Sequence, residues 1–417
     1  MRRQSLSGSD YFHLLLDRKM LRNGLVGNIS RIHLELSTDV DLELIGKKLA
    51  KNWTFQTVSN LKVKYNWPFL PVWKEEKGKR KNVEIRTNLS KSEFESSVLN
   101  RKVDNENGLV FIDLSELENG TKHVVISMHH VLFDHQGMDN FVQALADETL
   151  SFPLFPNVEK LNGFRVFRNF LFMTVYMLKR SSSKLGTLVE KNLKPKAAPR
   201  FRVIEFTESE TEQIEKNAWK VGARIGQSAF YISATAKTVI QVLTKRNENP
   251  PYLWFSVLNN QRKKGTAGHL VSNQLSFLFF RLNAKTLNKT TDGVTSINQQ
   301  LKAQIKNRIT ERYADLLSAL RFMPMPVYEA MVNLTSNGKM SSFGFSNLGT
   351  DKINLTEFQG TGIVNMLHFP PVPSPPGFNV VVSKTNGKLK FIWAYFDEVL
   401  SWEEVAAMEQ SFKALLL

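Results

Sequence analysis

Two Asn-Gly dipeptides, each set between apolar β-rich runs, constrain this chain more than any other feature. Asn119-Gly120 separates residues 109–114 from 124–128, and Asn386-Gly387 separates 379–383 from 389–395. Such a pair is the strongest short hairpin signal, because a tight two-residue turn needs positive φ at both centres. Each half of the chain therefore contains antiparallel pairing. Helical patterns alternate with these strands. Val405, Met408, Phe412 and Leu416 share one helical face behind the capping box Ser401-Trp402-Glu403-Glu404, and Met138, Phe141, Val142 and Leu145 keep the same spacing after Gly137. Hairpins mixed with helices predict an α/β fold with mixed sheets, not a parallel Rossmann sheet. No Gly-x-Gly-x-x-Gly and no Walker loop occurs, which disfavours dinucleotide and P-loop chemistry.

Between 179 and 200 the chain turns basic, small and proline-broken. This shift predicts an N-terminal lobe over 1–180, a basic linker over 181–200 and a C-terminal lobe over 201–417. The total of 417 residues suits about two or three domains. Lys plus Arg number 55 against 39 Asp plus Glu, a net charge of +16, which implies an anionic partner. The excess lies in separate clusters at 74–81, 179–196 and 262–264, with no zinc-finger spacing or leucine zipper, so no nucleic-acid partner is expected. Cysteine is absent, which excludes thiolate metal sites, a Cys nucleophile and disulfides, and fits a reducing compartment.

Met1-Arg2-Arg3-Gln4-Ser5 has no apolar segment behind it, and no apolar run approaches the roughly 18 residues of a spanning helix. The expectation is a cytoplasmic monomer. Residues 165–180 stand apart: Val166, Phe167, Phe170, Leu171, Met173 and Val175 are flanked by Arg165, Arg168, Lys179 and Arg180. Two readings stay open there, an ordinary packed helix and a weak peripheral contact with the inner face of an anionic membrane. The aromatic-rich stretches 164–178 and 277–280 likewise fit either core packing or lipid-like substrates.

Four of the eight histidines fall between 123 and 135: His123, His129, His130 and His135. A strand over 124–130 would place His130 on the face of Val124, Ile126 and Met128, at the entry to a turn before a helix. Several readings compete. One is a structural histidine at a strand end. A metal site from His129, His130, Asp134 and His135 lacks a separate third ligand, so none is expected. The remaining readings are acid–base catalysis, through His130-x-x-x-Asp134 or the one-residue-longer His129 spacing of glycerolipid acyltransferases. The longer spacing would come with a Pro-Glu-Gly block and apolar membrane segments, and neither is present.

His129-His130-x-x-x-Asp134 resembles the His-His-x-x-x-Asp-Gly motif of the condensation-domain superfamily. That superfamily includes nonribosomal peptide synthetase condensation domains, wax ester synthase/diacylglycerol acyltransferases, polyketide-associated acyltransferases and chloramphenicol acetyltransferase. Residues 255–262 resemble the family's strand ending in an arginine, here Arg262. Residues 270–276, with Asn273, resemble its Gly-Asn-x-x-Ser segment, with Ser272 replacing glycine; 345–349, with Asn347, resemble its Ser-Asn-x-Gly segment.

The resemblance implies two chloramphenicol acetyltransferase-like lobes with an active-site tunnel between them. It implies transfer of an acyl group from acyl-CoA or an acyl carrier protein to an alcohol or amine, without a cofactor. His130 would be the general base and Asp134 the partner of Arg262. His129 and Gly137 would be structural, and Asn273 and Asn347 would contact substrate. One departure is His135, where the family has glycine, with Gly137 two residues later. It motivates an alternative, a noncatalytic module that binds acyl groups or partners.

Overall fold

The structure is a computed structural model that describes residues 4–65, 70–76, 82–156, 161–180, 184–189, 198–262, 268–334, 338–350 and 355–417. It divides into two compact units, Met1–Leu161 with Arg262–Gln274 and Lys352–Pro371, and Asn162–Gln261 with Leu275–Asp351 and Val372–Leu417.

The first unit is built on a six-stranded sheet. Its order is Glu357–Phe358, Thr361–Phe369, Ile29–Leu36, Lys122–His129, Val110–Leu117 and Val83–Leu89. Pairing is antiparallel except at Val83–Leu89, which runs parallel to its neighbour, so the sheet is mixed. Lys122–His129 is central: Ile126 lies between Ile32 and Ile112, and residues 123–129 are all buried. Burial on both faces explains the unbroken apolar run 124–126. A smaller antiparallel sheet joins Gln4–Ser5, Val72–Glu75 and Leu61–Lys64.

The second unit carries another six-stranded sheet, ordered Leu275–Asn283, Tyr252–Asn260, Gly344–Thr350, Phe378–Thr385, Lys388–Tyr395 and Arg200–Glu205. Gly344–Thr350 is parallel to both neighbours and the other pairs are antiparallel. Phe277, Phe279 and Phe280 are buried here, so that aromatic stretch is core. Helix Trp402–Leu416 starts at the expected capping box and buries Val405, Met408, Phe412 and Leu416.

The hairpins differ in kind. Asn386 and Gly387 have φ of 49° and 77° and join strands paired through Thr385 and Lys388, the two-residue turn the dipeptide predicts. At Asn119-Gly120 only the glycine is left-handed, with φ 79°. The Leu117 N–H bonds the Thr121 carbonyl and the Gly120 N–H bonds the Leu117 carbonyl, a three-residue loop closed by a glycine bulge.

The unit boundaries depart from the expected cuts at 180 and 200. Helix Gly163–Arg180 belongs to the second unit, where Arg165 and Asn169 donate to Asp315 on helix Ile309–Leu320 at 3.1 and 2.7 Å. Residues 262–274 and 352–371 return to the first unit, because Thr361–Phe369 pairs with Ile29–Leu36 and the N–H groups of Leu270 and Val271 bond the carbonyls of Pro153 and Leu154. Much of the expected linker, 181–183 and 190–197, lies outside the described residues, as do Lys263 and Lys264. Its described part is packed: Leu185, Leu188 and Val189 are buried, and Leu185 bridges Tyr252. Among the described residues, no helix is long and apolar enough to cross a membrane.

Candidate active site

The central strand ends at His129, one residue before its expected end. The His129 N–H bonds the Leu109 carbonyl at 2.8 Å, and the His130 N–H bonds the Asn28 carbonyl at 2.8 Å as the chain leaves the sheet. The two histidines then do different things. His129 is buried; its Nδ1 accepts the Val131 N–H at 3.1 Å, which leaves Nε2 to carry the proton toward Asp17 Oδ1 at 3.2 Å. Burial alone would raise the Asp17 carboxyl, but the bonds from His129 and from the Asn28 N–H outweigh it and hold Asp17 below its ordinary value. His129 is thus an anchor whose two ring nitrogens are both engaged.

His130 is half-buried, and its ring lies parallel to His13 with centroids 4.0 Å apart and planes 9° from parallel. Burial pulls the His130 imidazole below its ordinary value, partly offset by the carbonyls of His130 and Phe133 and by the charge of Asp134. His13 is buried more deeply and is held well below 6.5, first by burial and then by the neighbouring histidines. Asn28 Nδ2 lies 3.1 Å from both Nδ1 and the carbonyl of His13, which fixes that ring as a stacking surface. The stack is therefore neutral near pH 7, and His130 is free to accept a proton.

Asp134 is the N-cap of helix His135–Ala146, and Oδ1 accepts the Gly137 N–H at 3.0 Å. Oδ2 accepts from Arg262 Nη1 and from the Gln274 N–H at 2.9 Å. The two charged side chains are only 4% and 1% exposed, and Arg262 Nη2 also donates to the Ser272 carbonyl at 3.2 Å. Arg262 is thus a buried partner of the motif and not a surface charge. A Cβ on Gly137 would stand 2.8 Å from the Leu270 carbonyl oxygen, so glycine is what lets the helix approach residues 268–274. His135 takes helical backbone as the first residue of the helix, so this turn requires no glycine directly after the aspartate.

Asn273, expected to contact substrate, is buried, and its nitrogens bond the scaffold. Its N–H and Nδ2 each reach Asp10 Oδ1 at 3.0 Å, and Nδ2 also reaches the carbonyls of His130 and Val131 at 2.9 and 3.0 Å. It ties the first helix, Gly8–Arg22, to the turn that carries His130. Asn347 lies in the second unit, exposed, donating to Ser228 Oγ at 2.7 Å and accepting the Gly349 N–H at 2.9 Å. The metal set weighed from sequence does not assemble, since the ring nitrogens of His129 and the oxygens of Asp134 are bonded elsewhere. His123 fits the structural reading: its Nδ1 lies 2.9 Å from His33 Nε2, its Nε2 lies 2.8 Å from Thr121 Oγ1, and burial lowers it to about 4.

His13, Asp17, Asn28 and Asp10 were not singled out by the sequence. Ser7-x-x-Asp10 is legible as a capping box, and it is one in the structure, but nothing local connects Asp10 to Asn273 or His13 to His130.

No protein-family profile and no curated protein sequence matches the chain. Solved structures do match in fold. The first condensation domain of the calcium-dependent antibiotic synthetase, in complex with a substrate analogue, is similar at a TM-score of 0.68 and 14% identity, covering 99% of this chain and 95% of that one. The trichothecene 15-O-acetyltransferase from Fusarium sporotrichioides gives 0.72 and 12%, covering 99% and 94%. The wax ester synthase/diacylglycerol acyltransferase from Marinobacter aquaeolei gives 0.64 and 12%, covering 99% and 98%. The chain shares its fold with these condensation and acyltransferase structures, with mixed sheets in both units.

Proposed function

We propose that this chain is an acyltransferase that moves an acyl group from a thioester to a hydroxyl or amine acceptor, with His130 as general base. The observation that carries this reading is the state of His130. It is half-buried, kept neutral near pH 7, stacked on a second neutral imidazole and held on a turn bonded from three directions. As the acceptor attacks the thioester carbonyl carbon, its proton passes to the unprotonated ring nitrogen of His130. The adduct collapses with cleavage of the C–S bond, and the imidazolium returns the proton to the departing thiolate. A thiol has a pKa near about 8.5, so the leaving group needs little assistance. His13, held well below 6.5, stays neutral while His130 is charged.

The fold's solved relatives include proteins named as an acetyltransferase and as a wax ester synthase, which supports transfer to oxygen. The net charge of +16 suits either the phosphates of coenzyme A or an acidic carrier protein. Free-thiol release from an acyl-CoA panel, with and without alcohols and amines, tests the proposal. Acceptor-dependent release is expected. Because His130 acts only when neutral and titrates below 6.5, the rate should hold as pH falls through 6.5 and drop only in more acid solution. An inflection above 6.5 would count against His130, and acyl-CoA binding without release would favour the noncatalytic module.

The exposed face of helix Gly163–Arg180 favours the membrane reading for that segment. Phe164, Phe167, Leu171, Val175 and Leu178 follow one helical stripe and are 77, 60, 49, 49 and 52% exposed, with Arg168 and Lys179 also exposed. The protein should float with anionic vesicles at low salt, separate from them at high salt, and lose flotation in Phe167→Glu. No flotation at either salt would remove this contact.

A further inference from the structure

Beside the His130 turn, three side chains converge that acyl transfer does not use: His135, Asp139 and His368. His135 and Asp139 are four apart on helix His135–Ala146, so one face presents both, and His368 comes from strand Thr361–Phe369. His135 Nε2 lies 3.3 Å from Asp139 Oδ2, and His368 Nε2 lies 3.7 Å from Asp139 Oδ1. One ligating atom from each residue falls within 4.8 Å of the others, and the two rings stand edge to face with centroids 5.0 Å apart. Asp139 and His368 are 6 and 7% exposed. Among the described residues, Asp139 Oδ1 and His368 Nε2 are shut from water with no hydrogen-bond partner. Burying such atoms unpaired is costly, and these two face each other across a gap too long for a hydrogen bond.

We propose that His135, Asp139 and His368 bind one divalent transition-metal ion of the Zn2+ class, independently of the His130 chemistry. Two imidazole nitrogens and one carboxylate oxygen are a borderline donor set that suits Zn2+ and its neighbours over Mg2+ or Ca2+. With metal–ligand bonds of about 2.0–2.1 Å in a tetrahedron, ligand atoms sit roughly 3.3 Å apart. His135 Nε2 is already that far from Asp139 Oδ2, His368 Nε2 is 3.7 Å from Oδ1, and rotations of the carboxylate and a ring would draw one atom of each, now within 4.8 Å of one another, to a common centre. Three protein ligands leave a fourth position for water, on the side of His135, whose side chain is 29% exposed. The site gives a chemical reason for His135 at this position, since a glycine would supply no ligand. The ion would pin the first turn of the motif helix to strand Thr361–Phe369.

The test uses the full chain, stripped with a chelator and titrated with Zn2+ and with Co2+. One equivalent should bind, with a rise in Tm and, for Co2+, a visible absorption band. His135→Gly and His368→Ala should weaken binding by more than the roughly 10–100-fold expected for losing an outer-shell partner. His269→Ala, outside the cluster, should bind as the parent does. Asp139→Asn keeps the side chain's shape and provides a second ligand variant if a histidine variant fails to fold. No binding by the parent chain with Zn2+ in excess, or unchanged binding in folded His135→Gly, would overturn the proposal.

Discussion

His130→Ala is expected to lower acyl transfer by about 10²–10⁴-fold, the usual worth of a positioned general base, while thermal stability changes little. The side chain is half-buried and its main contact is the face of His13, so truncation removes the base without opening the core. His129→Ala should do the reverse. It would leave the Val131 N–H and the Asp17 carboxylate without their partner in a buried setting, costing roughly 2 kcal/mol or more. Residual transfer per folded molecule should stay well above that of His130→Ala. Thiol release and thermal melts on the same preparations separate the two effects. Equal loss of activity at unchanged stability in both variants would remove His130 from the role of base.

The motif was legible because it is local. His129, His130, Asp134 and Gly137 lie within nine residues, and the strand, turn and helix that carry them each have a sequence signal. The pairing of Arg262 with Asp134 came from the resemblance, since its separation of 128 residues leaves no local trace. What remained hidden is the scaffold behind the motif. His13 reaches His130 from the first helix, and Asp10 meets Asn273 across 263 residues. A lone histidine or aspartate on an amphipathic helix has no pattern that reveals such a partner. The surroundings of Asn273 were hidden for the same reason: its segment was visible, but the bonds of its amide nitrogen to Asp10 and the His130 carbonyl come only from the tertiary structure. The composition shift near 180 marks a change in chain character, whereas the units are set by strand pairing and buried ion pairs that return 262–274 and 352–371 to the first unit. At Asn119-Gly120 the hairpin was readable and its turn type was not, because one extra residue in the ladder decides between a two-residue turn and a bulged loop.

Arg262→Ala and Asp134→Asn should each cost about 3–5 kcal/mol, and the double variant should lose less than their sum by about 1–3 kcal/mol. Removing Arg262 strands a carboxylate that is 1% exposed, left among the described residues with the N–H groups of Gly137 and Gln274. Asp134→Asn takes the carboxylate away from a guanidinium that is 4% exposed, which keeps the Ser272 carbonyl among its partners. Each single variant thus leaves one buried charge without its counter-charge in this pair, and the double variant carries neither charge. That shared cause predicts the deficit in additivity. Asp134→Ala should fall below Asp134→Asn by a further 1 kcal/mol or so, because it also removes the oxygen that caps helix His135–Ala146. Transfer should decline in all of these while His130 itself is intact, since the same carboxylate fixes the turn that aims it. Denaturant unfolding of the four proteins gives the coupling directly. Fully additive losses would mean that the ion pair does not hold the turn, and His130 would then owe its placement to Asn273, the Asn28 carbonyl and the His13 stack.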